Sequence, residues 1–129
     1  MMASLSLTAQ TKSYAAYQVL TSGPYGPIAD IPQNQSIWVK WSNDMEYITM
    51  GDGTQWVYIC DYNGNHHYQY NGGSIMPNTI YDQAVFSNDY SQFSMFYSFG
   101  MAGMMMQMRS DWKYIGEGTE PSLEWMKPF

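Results

Sequence analysis

The side chains best equipped for chemistry in this 129-residue chain lie in one stretch, Cys60-Asp61-Tyr62-Asn63-Gly64-Asn65-His66-His67. His66 and His67 are the only histidines and Cys60 is the only cysteine. Imidazole and thiolate are the groups that most readily hold zinc, or act as base and nucleophile, near neutral pH. Adjacent residues on a strand point to opposite faces, so the two histidines cannot chelate one ion together. A hairpin turning at Asn63-Gly64 sets Asp61 opposite His66, which gives two ligands where catalytic zinc takes three. Asp61-x-Asn63-x-Asn65 matches the first three ligand positions of an EF-hand loop. His66 stands where that loop needs glycine, however, and Gly72 where it needs the closing glutamate. Cys60 falls within a strand with no base beside it, and reads as a small buried apolar residue. The chain has no phosphate-cradling glycine loop, nucleophile elbow or paired carboxylates at helical spacing. The expectation is a non-enzymatic protein with no catalytic residue, no metal and no cofactor.

The elements that hold this stretch are read from turn chemistry. Ser42-Asn43-Asp44, Gly51-Asp52-Gly53-Thr54 and Tyr62-Asn63-Gly64-Asn65 separate strand-like runs over residues 36–70. Asp-Gly and Asn-Gly between apolar runs mark hairpins, because both central residues must tolerate positive φ. Two-residue loops at Asn43-Asp44, Asp52-Gly53 and Asn63-Gly64 align Val39, Ile48, Val57 and Tyr70 on one face of an antiparallel meander. The opposite face then carries Trp38, Lys40, Tyr47, Thr49, Trp56, Tyr58 and Gln69. That mixture of aromatic and polar side chains fits either a second packing layer or an exposed platform for a ligand or subunit.

Residues 1–35 are rich in Ser, Thr, Gln, Ala, Gly and Pro, and only Leu5-Ser6-Leu7-Thr8 alternates cleanly. They read as an extended arm with one short strand. Residues 36–115 form a single β domain and 116–129 an acidic tail, whose Trp125, Met126 and Phe129 are candidates to dock on a partner. Ile80-Tyr81 and Ala84-Val85-Phe86 mark a further strand. Residues 90–108 carry no charge. As a hairpin about Gly100-Met101-Ala102-Gly103 they gather Phe93, Met95, Tyr97, Phe99, Met104, Met106 and Met108 on one face. As a helix they form an apolar stripe instead, and both periods fit. A membrane span is disfavoured, since the run lacks Leu, Ile and Val and carries Ser91, Gln92, Ser94, Ser98 and Gln107. The fold class is therefore mainly β: a meander over about 36–70, extended into a small sandwich or barrel.

Composition bounds the partners. Charged residues are 12% of the chain, aromatics are 17%, and the net charge is −6. The five cations, Lys12, Lys40, Arg109, Lys113 and Lys127, are scattered, whereas nucleic-acid binding needs them clustered against phosphates. One cysteine forms no disulfide within these residues. Met1-Met2-Ala3-Ser4-Leu5-Ser6 lacks the basic and apolar regions of a secretory signal.

The stretch Ile48-Thr49-Met50-Gly51-Asp52-Gly53-Thr54-Gln55-Trp56 resembles a short repeat of bacteriophage tail-fibre proteins: an apolar strand, Gly-Asp-Gly-Thr, then a nearby tryptophan. It spans nine residues, with Trp56 one position early. The resemblance implies a structural role in a virus particle, as a capsid, decoration or tail accessory protein, and brings no catalytic residue. The expected location is the virion or an extracellular surface, and the expected partners are other virion proteins or further copies of the chain. The alternative is a carbohydrate-binding or adhesin module in which Trp38, Trp56, Tyr47 and Tyr58 stack on sugars.

Overall fold

A computed structural model of the chain describes residues 10–23, 26–73, 78–101 and 103–117. Every regular element among them is a strand: β1 Thr11–Gly23, β2 Gly26–Asp30, β3 Ser36–Trp41, β4 Tyr47–Met50, β5 Thr54–Tyr62, β6 Asn65–Gly73, β7 Thr79–Phe86, β8 Gln92–Met101 and β9 Met104–Glu117. They make one antiparallel sheet in which successive strands from β3 to β9 are neighbours. β1 pairs with β9 from Lys12↔Glu117 to Ser22↔Gln107, and this ladder closes an eight-stranded barrel. β2 is a ninth strand, paired with the second half of β1 after β3 has left it. Closure leaves the barrel without a free edge, and β2 carries Pro27 on the edge that remains.

The hairpin reading of residues 90–108 holds. Met101 pairs with Met104, Phe99 with Met106, Tyr97 with Met108 and Phe93 with Trp112. Residues 11–30, expected to be an arm with one short strand, instead supply β1 and β2. β1 is obscured in the sequence because bulges at Ser13/Tyr14 and Ala16/Gln18 break its alternation, which no single period can follow. The expected strand at 5–8 and the docking residues Trp125, Met126 and Phe129 lie outside the described residues.

The meander exists, but its register differs from the expectation. Val39 pairs with Met50 rather than Ile48, because the first loop runs from Ser42 to Glu46. Ile48 pairs with Trp56 rather than Val57, because Gly51-Asp52-Gly53 makes a three-residue connection. That single-residue slip exchanges the faces of β5 at this point: Trp56 enters the core, fully buried, and Val57 turns outward opposite Tyr47. The third turn is as expected, with Tyr62 opposite Asn65, but bulges at Tyr58/Cys60 and Gln55/Trp56 shift the ladder twice beyond it. Val39, Ile48, Val57 and Tyr70 therefore do not share one surface.

The barrel interior is filled at one end. Tyr14, Trp41, Tyr68, Phe86 and Phe93 are buried there, and their rings meet mostly edge to face, as at 5.3 Å for Trp41 and Phe86. Edge-to-face contact sets the positive ring edge of one against the negative face of the next. Ile37, Val39, Ile48, Met50, Trp56, Ala84 and Met95 continue this core inward. Each buried indole N–H has an acceptor: Trp41 donates to the Tyr68 hydroxyl at 3.1 Å and Trp56 to Thr54 Oγ1 at 2.8 Å. Thr54 in turn donates to Asp52 Oδ1 at 2.6 Å. The Gly-Asp-Gly-Thr-x-Trp segment thus serves the barrel's own packing. An unbonded buried N–H would cost about 1–3 kcal/mol.

Two loops with one design cap this closed end. Ser42-Asn43-Asp44-Met45-Glu46 and Ser87-Asn88-Asp89-Tyr90-Ser91 make matching hydrogen bonds. In each, the serine hydroxyl donates to the aspartate, the aspartate accepts the backbone N–H two residues on, and the serine oxygen accepts the first N–H of the next strand. In each, the fourth residue has positive φ, 63° for Met45 and 60° for Tyr90. That conformation is costly for bulky side chains, and here both pack against the core.

A candidate ligand cavity inside the barrel

The connections 31–35 and 51–53 lie at the opposite end. The strands reaching it place a different set of side chains inside. β1 contributes Val19 and Thr21, β7 Thr79 and Tyr81, β8 Met95, Tyr97 and Phe99, and β9 Met106, Met108, Ser110 and Trp112. Threonine, valine and serine are too small to meet across an eight-stranded barrel, so the interior is not closed here. A cavity of about 1180 Å³ results, bordered also by Ser13, residues 34–38 and 51–52, and it exceeds the volume of a typical drug-sized ligand site. The inner row expected on the hairpin, Phe93 to Met108, supplies its floor and one wall: Phe93 and Met95 are buried in the core, while Tyr97, Phe99, Met106 and Met108 border the open space.

Thioether, aromatic and aliphatic surface dominates the lining, with Ser, Thr, Asn and Gln side chains among it and no cation among the described residues. Among the described residues the one carboxylate bordering it is the exposed Asp52 at the rim. Burial, and then the Asp52 charge, push the Tyr81 phenol up to about 12. Burial likewise raises Tyr97, with a hydrogen bond from Ser110 acting in the other direction. Both phenols are therefore neutral hydroxyls at physiological pH. Ser110 Oγ accepts the Trp112 indole N–H at 2.9 Å. Beside the cavity Tyr70 stacks on Tyr81, 5.2 Å between centroids, and its buried hydroxyl has no partner among the described residues.

The wall behind Ser110 is held from outside. Asp111 is 1% exposed, accepts both Arg109 Nε and Nη2 at 2.9 Å, and accepts the Ser94 hydroxyl at 2.5 Å. That bidentate pair lies within β9, and the Ser94 hydroxyl from β8 ties it to the neighbouring strand behind the cavity. Lys113 lies over the Tyr17 ring at 4.6 Å, on the residue that the β1 bulge leaves unpaired.

The residues expected to form an aromatic sheet face are divided. Lys40, Tyr47, Thr49 and Gln69 are on the outer surface, where Lys40 pairs with Thr49 and Gln69 with Val57, whereas Trp38 borders the cavity. Trp38 lies over Gly51, whose missing Cβ makes room for the indole. Trp56 is a core residue, and Tyr58 lies in the inner row opposite Tyr68, where it projects past the closed end. The proposed sugar platform therefore loses its central ring.

His66 and Asp61 meet as expected, with Nδ1 2.7 Å from Oδ1, while Nε2 reaches the Asn88 carbonyl at 3.0 Å and the ring stacks on Tyr90 at 4.4 Å. This group ties the β5–β6 hairpin to the cap of the closed end, far from the cavity. Cys60, expected to be buried, is exposed, because the bulge at Tyr58/Cys60 carries it onto the overhanging end of β5. Among the described residues no three or more His, Cys, Asp or Glu side chains come together as metal ligands, and no helix is long and apolar enough to cross a membrane.

Sequence reasoning missed Ser110, Trp112, Tyr81 and Val19 as cavity residues. One signal was present: Ser110-x-Trp112 repeats the spacing of Thr54-x-Trp56, a hydroxyl two residues before an indole on the same side of a strand. No protein-family model matches the chain, and no curated protein matches it in sequence. The fold and cavity define its class, an antiparallel β-barrel with an internal apolar chamber.

Proposed function

We propose that the protein binds a small, uncharged, largely apolar molecule inside the barrel. The observation that carries this reading is the 1180 Å³ cavity, open at one end and walled by Met95, Tyr97, Phe99, Met106 and Met108. Eight-stranded barrels either fill their interiors with side chains or hold one small ligand, and this barrel does the first at one end only. Acidic and aliphatic ligands differ here. A carboxylate entering the chamber would lose its hydration, find no cation, and pass Asp52 in a chain of net charge −6.

The test is titration with N-phenyl-1-naphthylamine, a neutral probe that brightens in apolar surroundings. Saturable enhancement is expected, and Met106→Trp, which adds bulk at the mouth, is expected to abolish it while leaving the thermal melt intact. Absence of saturable binding, or equal binding by the Trp variant, rejects the reading.

A role in a virus particle is the second reading. Besides the Gly-Asp-Gly-Thr resemblance, it is supported by the exposed apolar surface of the overhanging β5 end, where Tyr62 is 64% and Ile59 44% exposed. Native mass spectrometry of the protein with candidate virion partners tests it, and a monomer that binds none of them counts against it.

A further inference from the structure

Strand register sets part of the cavity wall out in two rows that cross three strands. Tyr81 of β7 stands opposite Tyr97 of β8, and Tyr97 opposite Met108 of β9. The next row toward the mouth runs Thr79, Phe99, Met106. All six side chains line the cavity. Directly opposed side chains on neighbouring strands have Cβ atoms about 5 Å apart, within reach of one another. β7 and β8 therefore present three rings side by side, and β9 borders them with two thioethers. The rings are ordered by further rings. Tyr81 stacks on Tyr70 at 5.2 Å and leans on Tyr97 at 6.0 Å, with 38° between the latter two planes. Trp112, also on the lining, lies parallel to the buried Phe93, 5.8 Å away with 2° between planes. Methionine is unbranched and polarizable, so Met106 and Met108 can follow the outline of a guest while keeping sulfur against it.

We infer that the cavity is selective for molecules built on an aromatic ring system over saturated molecules of the same skeleton and polarity. This rests on the cavity reading above and narrows its ligand class. Ring against ring and sulfur against ring are each favourable beyond the area they bury. A saturated skeleton obtains the area term alone. The lining also carries Thr21, Asn34, Gln35 and Thr79, with the hydroxyls of Tyr81 and Tyr97. Those polar groups can bond a substituent on either skeleton, so they do not separate the two.

The experiment is displacement of N-phenyl-1-naphthylamine from the full chain by 2-(naphthalen-2-yl)ethanol and by 2-(decahydronaphthalen-2-yl)ethanol. The two share a carbon skeleton and an alcohol set apart from the rings, so the π system is what differs. The saturated compound is the more hydrophobic, and burial of area alone would make it the stronger competitor. The naphthyl compound is instead expected to displace the probe at about three- to ten-fold lower concentration, the range that one or two ring contacts supply. Met106→Leu with Met108→Leu keeps the apolar volume, removes both sulfurs and should reduce that preference. Adding Phe99→Leu should reduce it further. Equal displacement, stronger displacement by the saturated compound, or a preference unchanged in the triple variant overturns the inference while the cavity reading stands. Failure of the probe to bind removes both. Should the variants not fold, the NMR signals of the Met106 and Met108 methyl groups in the unaltered protein decide. Ring-current shifts of both are expected on adding the naphthyl compound, and unshifted methyl signals overturn the proposal.

Discussion

Thr54→Val tests whether the Asp52–Thr54–Trp56 relay stabilises the barrel. Valine keeps the shape and β preference of threonine but removes the oxygen that accepts the Trp56 indole N–H at 2.8 Å. Thr54 and Trp56 are both fully buried, so no water replaces the lost acceptor. The cost is that of one buried unsatisfied donor, about 1–3 kcal/mol. The hydroxyl's other bond, to the exposed Asp52, adds little because Asp52 rehydrates. A protein of this length loses roughly 3–5 °C of melting temperature per kcal/mol, so a fall of about 3–15 °C is expected. Urea unfolding followed by tryptophan fluorescence measures the same quantity in Thr54→Val, Trp56→Phe and the double variant. Phenylalanine has no N–H to orphan, so the threonine substitution should cost at least about 1 kcal/mol less in the Trp56→Phe background. Additive costs, or a Thr54→Val variant within about 0.3 kcal/mol of the parent, would refute the assignment of that hydrogen bond as stabilising.

Arg109→Gln should destabilise the barrel by about 2–3 kcal/mol in denaturant, because it strips a buried carboxylate of its bidentate partner. The figure is set below that for a fully buried pair because the Arg109 side chain is 43% exposed. Alkaline titration provides a second check. Burial raises Tyr14 and Tyr68 well above the ordinary phenol value of 10.0 and Tyr81 to about 12. Groups with raised values stabilise the fold fully below about pH 10 and lose that contribution as pH climbs past it. Unfolding free energy should therefore drop above about pH 10, and absorbance in the near ultraviolet should show tyrosines that ionise only on unfolding. At acid pH the sign reverses. Asp44, held below 3.8 chiefly by the Ser42 hydroxyl, and Asp89, by Ser91, favour the folded state above about pH 4 and cease to do so as pH falls through their lowered values. Asp44→Asn with Asp89→Asn should flatten that acid limb of the stability profile, and an unchanged limb would contradict the loop assignment.

Much of the fold is legible in the sequence, and the failures have local causes. Asn63-Gly64 and the turn after Met101 are read correctly because two-residue hairpins leave strand faces unchanged across the turn. The Gly51-Asp52-Gly53 connection is misread by one residue, and with a period of two that error moves Trp56 from core to surface. The Ser42–Glu46 loop reads as a shorter turn, although its twin at Ser87–Ser91 has Ser-Asn-Asp in the same places. β1 is hidden by its bulges. The cavity lies furthest from the sequence, since it exists only once β1 is known to meet β9 and the sizes of Val19, Thr21 and Ser110 can be compared across the same barrel.

Closure by the first and ninth strands has a temporal consequence. Every other ladder from β3 onward joins neighbours in the chain, so each can zip up as soon as its hairpin is made. Lys12, however, waits for Glu117, and Ser22 for Gln107. During synthesis β1 carries a naked edge until residues 107–117 have left the ribosome, and the chamber does not yet exist. Nascent chains should therefore pass through an open, sticky sheet, and any ligand can be captured only after the final strand has docked.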